Sequence, residues 1–277
     1  MTLSPSAEAA LIDAVRETAS QEILPRFRSL DPGDIATKSR HDDLVTIADR
    51  EAEQRLTEAA RRILPGAIVV GEEAVAEDPD LQNGISDADT CVIIDPIDGT
   101  WNFAHGLATF GVILALSSKG RTVWGLIYDP TGDDWVIARA GEGAEFVKSD
   151  GSARSLRFDN DPPTKIDAAM GYVHSYLFNG DERHRLFSIL PHFHKTDALR
   201  CSAHEYRLLA QGAVDFCLSP VLNPWDHAAG CLVAEEAGGV ARLLDGTPYA
   251  PTSRNGRLLV ARSEHAWDEI SKPFRAL

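Results

Sequence analysis

The run Cys91-Val92-Ile93-Ile94-Asp95-Pro96-Ile97-Asp98-Gly99-Thr100 carries an apolar strand into two carboxylates on one tight turn. The β-branched residues before Asp95 read as a strand, and Asp95-Pro96 reads as its stop. Pro96 lacks an N–H and stiffens the exit. Ile97 can offer its carbonyl, Asp98 returns a second carboxylate, and Gly99 permits close backbone approach. Thr100 adds a hydroxyl able to hold a water or a phosphate oxygen. Hard cations such as Mg²⁺ take oxygen ligands of this kind. A capped turn is the competing reading, because Asp and Gly are common in loops and either carboxylate can cap a helix starting near Thr100.

Two further element ends carry acids. Ala67-Ile68-Val69-Val70 reads as a strand ending at Gly71-Glu72-Glu73, and Trp225-Asp226 opens a helix. Taken singly, Glu72 and Glu73 read as solvated acids, and Asp226 as an N-cap or a carboxylate favoured by the helix dipole. Taken with Asp95 and Asp98, these ends predict one metal site.

The pattern around them alternates in type. Leu11, Ile12, Val15, Ala19, Ile23 and Leu24 recur at helical spacing, with Ser6 or Ser4 as N-cap and Pro25 as a stop or bend. Residues 31–43 read as loop. A second helix is predicted from Thr46, its N-cap, to about Leu64, with Asp49 in its first turns and Pro65-Gly66 as its stop. Residues 74–89 read as loop or hairpin. Strands are predicted over 110–117, 122–128, 135–138 and 145–147 as an antiparallel meander. Asp159-Asn160-Asp161-Pro162-Pro163 is the best boundary, dividing the chain into 1–160 and 161–277. Beyond it, strands are expected over 166–171, 214–219 and 258–261, and helices over 183–190, 203–211, 226–237 and 264–274. The mixture predicts an α+β fold rather than a regular βαβ series.

Composition narrows the function. Of 277 residues, 44% are apolar and 25% charged, as in ordinary soluble domains. The formal net charge of -15 argues against a general nucleic-acid binder. It leaves room for an anionic substrate, because a bound divalent cation inverts the local sign. Cys91, Cys201, Cys217 and Cys231 form no CxxC pair, which argues against zinc and for buried free thiols in a reducing compartment. No basic region followed by an apolar core opens the chain, and no apolar stretch is long enough to span a bilayer. The expected location is the cytoplasm, with no membrane partner.

The residues from Val92 to Phe103 resemble the first signature of the inositol monophosphatase family of metal-dependent phosphatases. Trp225-Asp226-His227-Ala228-Ala229-Gly230, running on to Glu236-Ala237-Gly238-Gly239, is similar to its second. Gly71-Glu72-Glu73 is similar to its glutamate motif. Lys38, Asp43-Leu44-Val45-Thr46 and Asp49 are similar to its N-terminal loop and helix. The resemblance spans nearly the whole chain. It implies a layered α–β–α–β–α sandwich, with the active site between an N-terminal portion of helices and antiparallel sheet and a C-terminal α/β portion.

It also implies roles. Glu72, Asp95 and the Ile97 carbonyl would hold one Mg²⁺, and Asp95, Asp98 and Asp226 a second. Glu72 would help hold a third through water. Thr100 and Asp49 would orient and deprotonate the attacking water, and the amides of Gly99 and Thr100 would receive the phosphate. Lys38 would lie on a mobile loop beside the metals; a surface lysine is its competing reading. Mn²⁺ would substitute, Ca²⁺ and Li⁺ would inhibit, and the protein would be a homodimer acting on a small phosphorylated metabolite. Asp98, Gly99, Thr100 and Asp226 would meet the substrate.

The leaving group stays open among inositol, histidinol, fructose-1,6-bisphosphate and 3′-phosphoadenosine-phosphate chemistries. Inositol monophosphatases usually carry a glutamate seven residues before the second-signature aspartate, and Ser219 stands there. Losing a carboxylate from a polyol pocket weakens discrimination among hydroxyl patterns. Asn223 is a replacement polar contact. Arg200 and His204 are further pocket candidates, with a helix-surface position an equal reading of His204. A regulatory protein on this fold is the alternative from another class, and the intact ligand set argues against it. A Ca²⁺-stabilised module fails for want of an EF-hand-like loop.

Overall fold

Ser4 caps the first helix, α1 (Pro5–Thr18), by accepting the Ala7 N–H at 3.2 Å. The helical path continues through a π-turn over Ala19–Ile23 and a 3₁₀ turn over Leu24–Arg26, where Pro25 ends it. The computed structural model describes residues 3–38, 40–158, 165–275 and 277. The boundary expected at Asp159-Asn160-Asp161-Pro162-Pro163 lies outside the described residues.

One short strand occupies part of the expected loop, and its partner begins just past it. β1 (Ile35–Thr37) pairs antiparallel with β2 (Leu44–Thr46). β1 is three residues long with no buried position, so it offers no alternation to read. α2 (Ile47–Ile63) begins in a capping box, with Thr46 accepting from the helix and its own N–H bound by Asp49 at 2.8 Å. β3 (Ile68–Gly71) runs directly into α3 (Glu72–Glu77), and a 3₁₀ stretch follows over Pro79–Ile85. The loop or hairpin expected over 74–89 is therefore largely helical.

β4 (Cys91–Asp98) does not stop at Asp95-Pro96 as the sequence suggested. Asp95 pairs with Ile113 and Asp98 with Gly111, so three steps on β4 match two on its neighbour. The extra residue is a bulge, where a proline without an N–H costs no ladder bond. Then come α4 (Thr100–Ala104) and the meander β5 (Gly111–Ser118), β6 (Arg121–Asp129), β7 (Asp134–Arg139), β8 (Gly143–Lys148) and β9 (Ala153–Leu156). β3 and β4 are parallel; the remaining pairs of this seven-stranded sheet are antiparallel.

The second sheet is mixed, in the order β11-β10-β12-β14-β13. Its elements are β10 (Met170–Val173), α5 (Gly180–Ile189), β11 (Lys195–Asp197), α6 (Ser202–Ala210), β12 (Phe216–Ser219), α7 (Pro224–Glu236), β13 (Val240–Leu243), β14 (Leu258–Ala261) and α8 (Glu264–Phe274). A 3₁₀ turn over Ile166–Ala168 delays the strand expected at 166. Neither β11 nor β13 was expected; each is four residues or fewer and at least half its positions meet solvent.

Alternation along the strands sets the layers. Val92 and Ile94 of β4 pack with Leu11, Val15, Ala52 and Leu56 of α1 and α2. Ile93, between them, faces the other way, onto a core that includes Tyr206, Leu209, Ala229 and Val233 of α6 and α7. That same core reaches Cys217, Leu258 and Val260 of the second sheet. The far face of that sheet, with Phe216, Leu218 and Leu259, packs on Leu186, Trp267, Ile270 and Phe274. The expected α–β–α–β–α sandwich is the observed one. No helix among the described residues is long and apolar enough to cross a membrane.

Candidate active site

Carboxylate oxygens of Asp95, Asp98 and Asp226 all lie within 4.8 Å of one another. The β4 bulge delivers the first two, and the first turn of α7 delivers the third. Asp95 and Asp98 are buried and Asp226 is partly so. Burial pushes Asp95 well above the usual carboxylate range, and Glu72, Asp98 and Asp226 repel its charge further. Asp226 is raised by burial and then by Asp98 and Glu72. Asp98 is pushed up to about 6 by burial, although the Ala203 N–H and the Cys201 thiol, 3.1 Å away, donate to it. One Asp95 oxygen, Oδ1, is buried without a hydrogen-bond partner among the described residues.

Such a cluster is costly on its own terms, because buried like charges without partners are strongly unfavourable. An orphaned carboxylate oxygen inside an all-oxygen set fits a hard divalent cation such as Mg²⁺ and offers nothing to a soft one. Asp95, Asp98 and Asp226 are the residues able to hold it, with Glu72 in electrostatic reach.

Glu72 is not in the tight trio. Lys38 lies between Glu72 at 2.8 Å and Glu73 at 2.6 Å. Burial opposes the Lys38 charge, yet the two carboxylates outweigh it and raise its pKa. Glu73 in turn is pushed up to about 8 by burial and by Glu72. A cleft of about 520 Å³ opens here, lined by Lys38, Glu72, Glu73, Asn223 and Trp225 among others.

The hydroxyl of Thr100 stands 2.9 Å from Asp49 Oδ1 and 2.9 Å from the Ile97 carbonyl. It has one proton for two acceptors. Asp49 is 1% exposed, and burial pushes it up to about 6. Gly99, between Asp98 and Thr100, has φ +87°, and a Cβ there would come within 2.9 Å of the Thr109 carbonyl. Gly99 is therefore required both by the turn and by the approach of a neighbouring chain.

The pocket candidates separate. His204 gives its Nε2 to the Phe110 carbonyl at 3.0 Å and so is turned to the sheet. Ser219 is engaged in its own turn, donating to the Val221 carbonyl at 3.0 Å, with His174 Nδ1 at 3.2 Å. Asn223 Nδ2 donates to Asp226 at 3.1 Å. Arg200 lies beside Cys201, whose thiol touches Asp98.

Several supporting residues were not anticipated. Glu53 is buried and accepts the Glu73 and Ala74 N–H groups at 2.8 Å each, capping α3 from α2. Its spacing of four from Asp49 puts both acids on one helix face, a signal present in the sequence. Tyr206 and His227 form a buried pair at 2.9 Å. Burial pushes His227 down to about 3, so the ring is neutral: Tyr206 donates to Nδ1, and Nε2–H donates to the Val221 carbonyl at 2.8 Å. This fixes the turn beside Asp226. Glu205 accepts from His174 at 2.6 Å and from the Leu199 N–H at 2.8 Å.

Gly71 gives a direct test of the Glu53 support. A Cβ there would fall 2.2 Å from Glu53 Cδ. Gly71→Ala is expected to displace the carboxylate and destabilise the protein by about 2–3 kcal/mol. Gly33→Ala, with nothing within 4 Å, is expected to change stability little. Thermal melting of both checks this; equal melting temperatures would mean Glu53 moves aside freely.

The family model described as "Inositol monophosphatase family" matches residues 5–275. The chain belongs to the inositol monophosphatase family. It is 29% identical over 222 residues to the fructose-1,6-bisphosphatase/inositol-1-monophosphatase of Thermotoga maritima, covering 80% of this chain and 79% of that protein. It is 31% identical over 248 residues to the Nus factor SuhB of Escherichia coli, covering 87% and 88%. The solved structure of a Thermotoga maritima IMPase superposes with a TM-score of 0.78 at 26% identity, over 96% of this chain and 95% of that one.

Proposed function

We propose that the protein is a Mg²⁺-dependent phosphomonoesterase acting on a small phosphorylated metabolite. The observation that carries this reading is the trio Asp95, Asp98 and Asp226 with its orphaned buried oxygen. Asp95, Asp98 and Asp226, with Glu72 and the Ile97 carbonyl, would hold the cations. Bound Mg²⁺ would supply charge neutralisation at the phosphate and a lowered pKa for a water, so that it can give up its proton near neutral pH. Thr100 orients that water through its hydroxyl. Asp49, behind Thr100, takes up the proton; its pKa near 6 suits a base working near neutrality. The amides of Gly99 and Thr100 meet the phosphate oxygens. Phosphoryl transfer asks mainly for such positioning and charge neutralisation. A homodimer in the cytoplasm, inhibited by Li⁺ and Ca²⁺, completes the reading.

Phosphate release from inositol-1-phosphate, histidinol phosphate, fructose-1,6-bisphosphate and phosphoadenosine phosphate tests it. Purified protein is expected to release phosphate from at least one with Mg²⁺ and from none with chelator. Asp98→Asn and Asp226→Asn should abolish release while leaving the fold. Full activity in either variant would refute the ligand assignment. A second reading, a regulatory protein, is favoured by the similarity to the protein named Nus factor SuhB. Silence across the whole substrate panel in Mg²⁺-binding protein would favour it.

A further inference from the structure

Two of the three clustered carboxylates depend on turns of the C-terminal portion. Asp98 accepts from the Cys201 thiol at 3.1 Å and from the Ala203 N–H, in the turn that opens α6. Asp226 stands on the first turn of α7, where Asn223 donates to it at 3.1 Å. In the chain, α6 and β12 separate the two turns.

A buried series of hydrogen bonds joins them. Glu205 Oε1 accepts the Leu199 N–H at 2.8 Å, in the first turn. Glu205 Oε2 meets His174 Nε2 at 2.6 Å, and His174 Nδ1 lies 3.2 Å from Ser219 Oγ. Ser219 closes on both backbone groups of Val221, donating to the carbonyl at 3.0 Å and accepting the N–H at 3.3 Å. The same carbonyl receives His227 Nε2–H at 2.8 Å, one residue past Asp226. His174, Glu205 and Ser219 are 7%, 2% and 4% exposed.

Proton accounting gives the charge. The Ser219 hydroxyl spends its one proton on Val221, so its oxygen accepts from His174 Nδ1–H. Nε2 faces a carboxylate and carries a proton as well. His174 is therefore an imidazolium paired with ionised Glu205. Burial opposes that charge, and Glu205 outweighs burial and raises the His174 pKa. A buried ion pair is a weak source of stability, because desolvation offsets its attraction. The carboxylate absent at position 219 stands at 205 instead, and it is spent on this link.

We propose that the His174–Glu205 pair is a positioning element of the metal site, fixing the spacing of Asp98 and Asp226 by locking the turn that holds one to the turn that leads into the other. This rests on the cation-binding part of the phosphomonoesterase reading.

Calorimetric titration with Mg²⁺, and melting in chelator, test it on the full chain. Glu205→Leu is expected to weaken Mg²⁺ affinity about tenfold, in the range of groups that support metal ligands from behind. It should also melt lower, because His174 loses its counter-charge. Adding His174→Leu removes the stranded imidazole, so the double variant should melt above Glu205→Leu. Its Mg²⁺ affinity should stay about tenfold below the wild type. Stability that recovers without affinity is what a merely structural pair would not produce. Affinity that returns to the wild-type value in the double variant overturns the inference. Should these variants fail to fold, Ser219→Ala decides, because it cuts the Nδ1 contact and spares the ion pair. A threefold or greater loss of Mg²⁺ affinity there supports the inference, and an unchanged affinity overturns it. Mg²⁺ affinity that needs the pair, without phosphate release from any substrate, supports the inference and refutes the phosphatase reading. Phosphate release with Mg²⁺ affinity unchanged in the folded variants overturns the inference and leaves the phosphatase reading standing.

Discussion

Asp95→Asn is expected to abolish Mg²⁺-dependent phosphate release and, in metal-free protein, to raise the melting temperature. The two effects have one cause. Asp95 is 1% exposed, its Oδ1 has no partner among the described residues, and Glu72, Asp98 and Asp226 all repel its charge. An amide of the same shape removes the repulsion and keeps the packing. Without metal, that relieves a buried like-charge contact, a gain of about 1–3 kcal/mol, or roughly 2–5 °C for a chain of this size. With metal, the amide is a far poorer oxygen ligand, so kcat/KM should fall by at least about a thousandfold. Differential scanning with and without Mg²⁺ supplies the check. The wild type should gain stability from Mg²⁺ and Asp95→Asn should gain almost none. A variant that melts lower than the wild type in chelator would show that the carboxylate is not under repulsion.

Asp49→Asn should separate chemistry from metal binding. Asp49 touches none of the clustered carboxylates; it holds Thr100 through Oδ1 and the Thr46 N–H through Oδ2. The amide cannot accept a proton, so kcat should fall by about 10²–10⁴-fold, the usual contribution of general-base catalysis. The Mg²⁺-induced rise in melting temperature should persist. Because Asp49 also closes the capping box of α2, the variant should lose about 1 kcal/mol of stability. A kcat within threefold of the wild type would remove Asp49 from the proton path and leave it a helix cap.

What could be read from the sequence depended on how locally each feature is encoded. The cluster was legible because its carboxylates follow stretches that announce themselves: an apolar run before Asp95, a proline and tryptophan before Asp226. The long meander was legible through alternation and turn residues. The extent of β4 was not, because a proline ends a strand in every local reading. Only the β5 partner, with two residues set against three, shows that Pro96 lies in a bulge. β1, β11 and β13 are too short to carry a period. Glu53 was missed because its partners, the amides of Glu73 and Ala74, are about twenty residues away in the chain. The contacts of Arg200 were hidden for the same reason: Trp101, Tyr176 and Asp42 come to it only in three dimensions.

The helix α7 is enclosed on nearly every side, with Ala228, Ala229, Leu232, Val233 and Ala234 all in one core shared by both sheets. Neither sheet can shed its inner face without stripping that helix bare. Heat must therefore undo the two sheets together, in one cooperative step, rather than peel one half away. Asp226 sits on the first turn of α7, so a cation held there, as proposed, would brace the helix that both sheets share. Metal occupancy and whole-molecule cooperativity would in this way be coupled through a single helix, and ligand binding at the site would act on the stability of the far sheet as well as the near one.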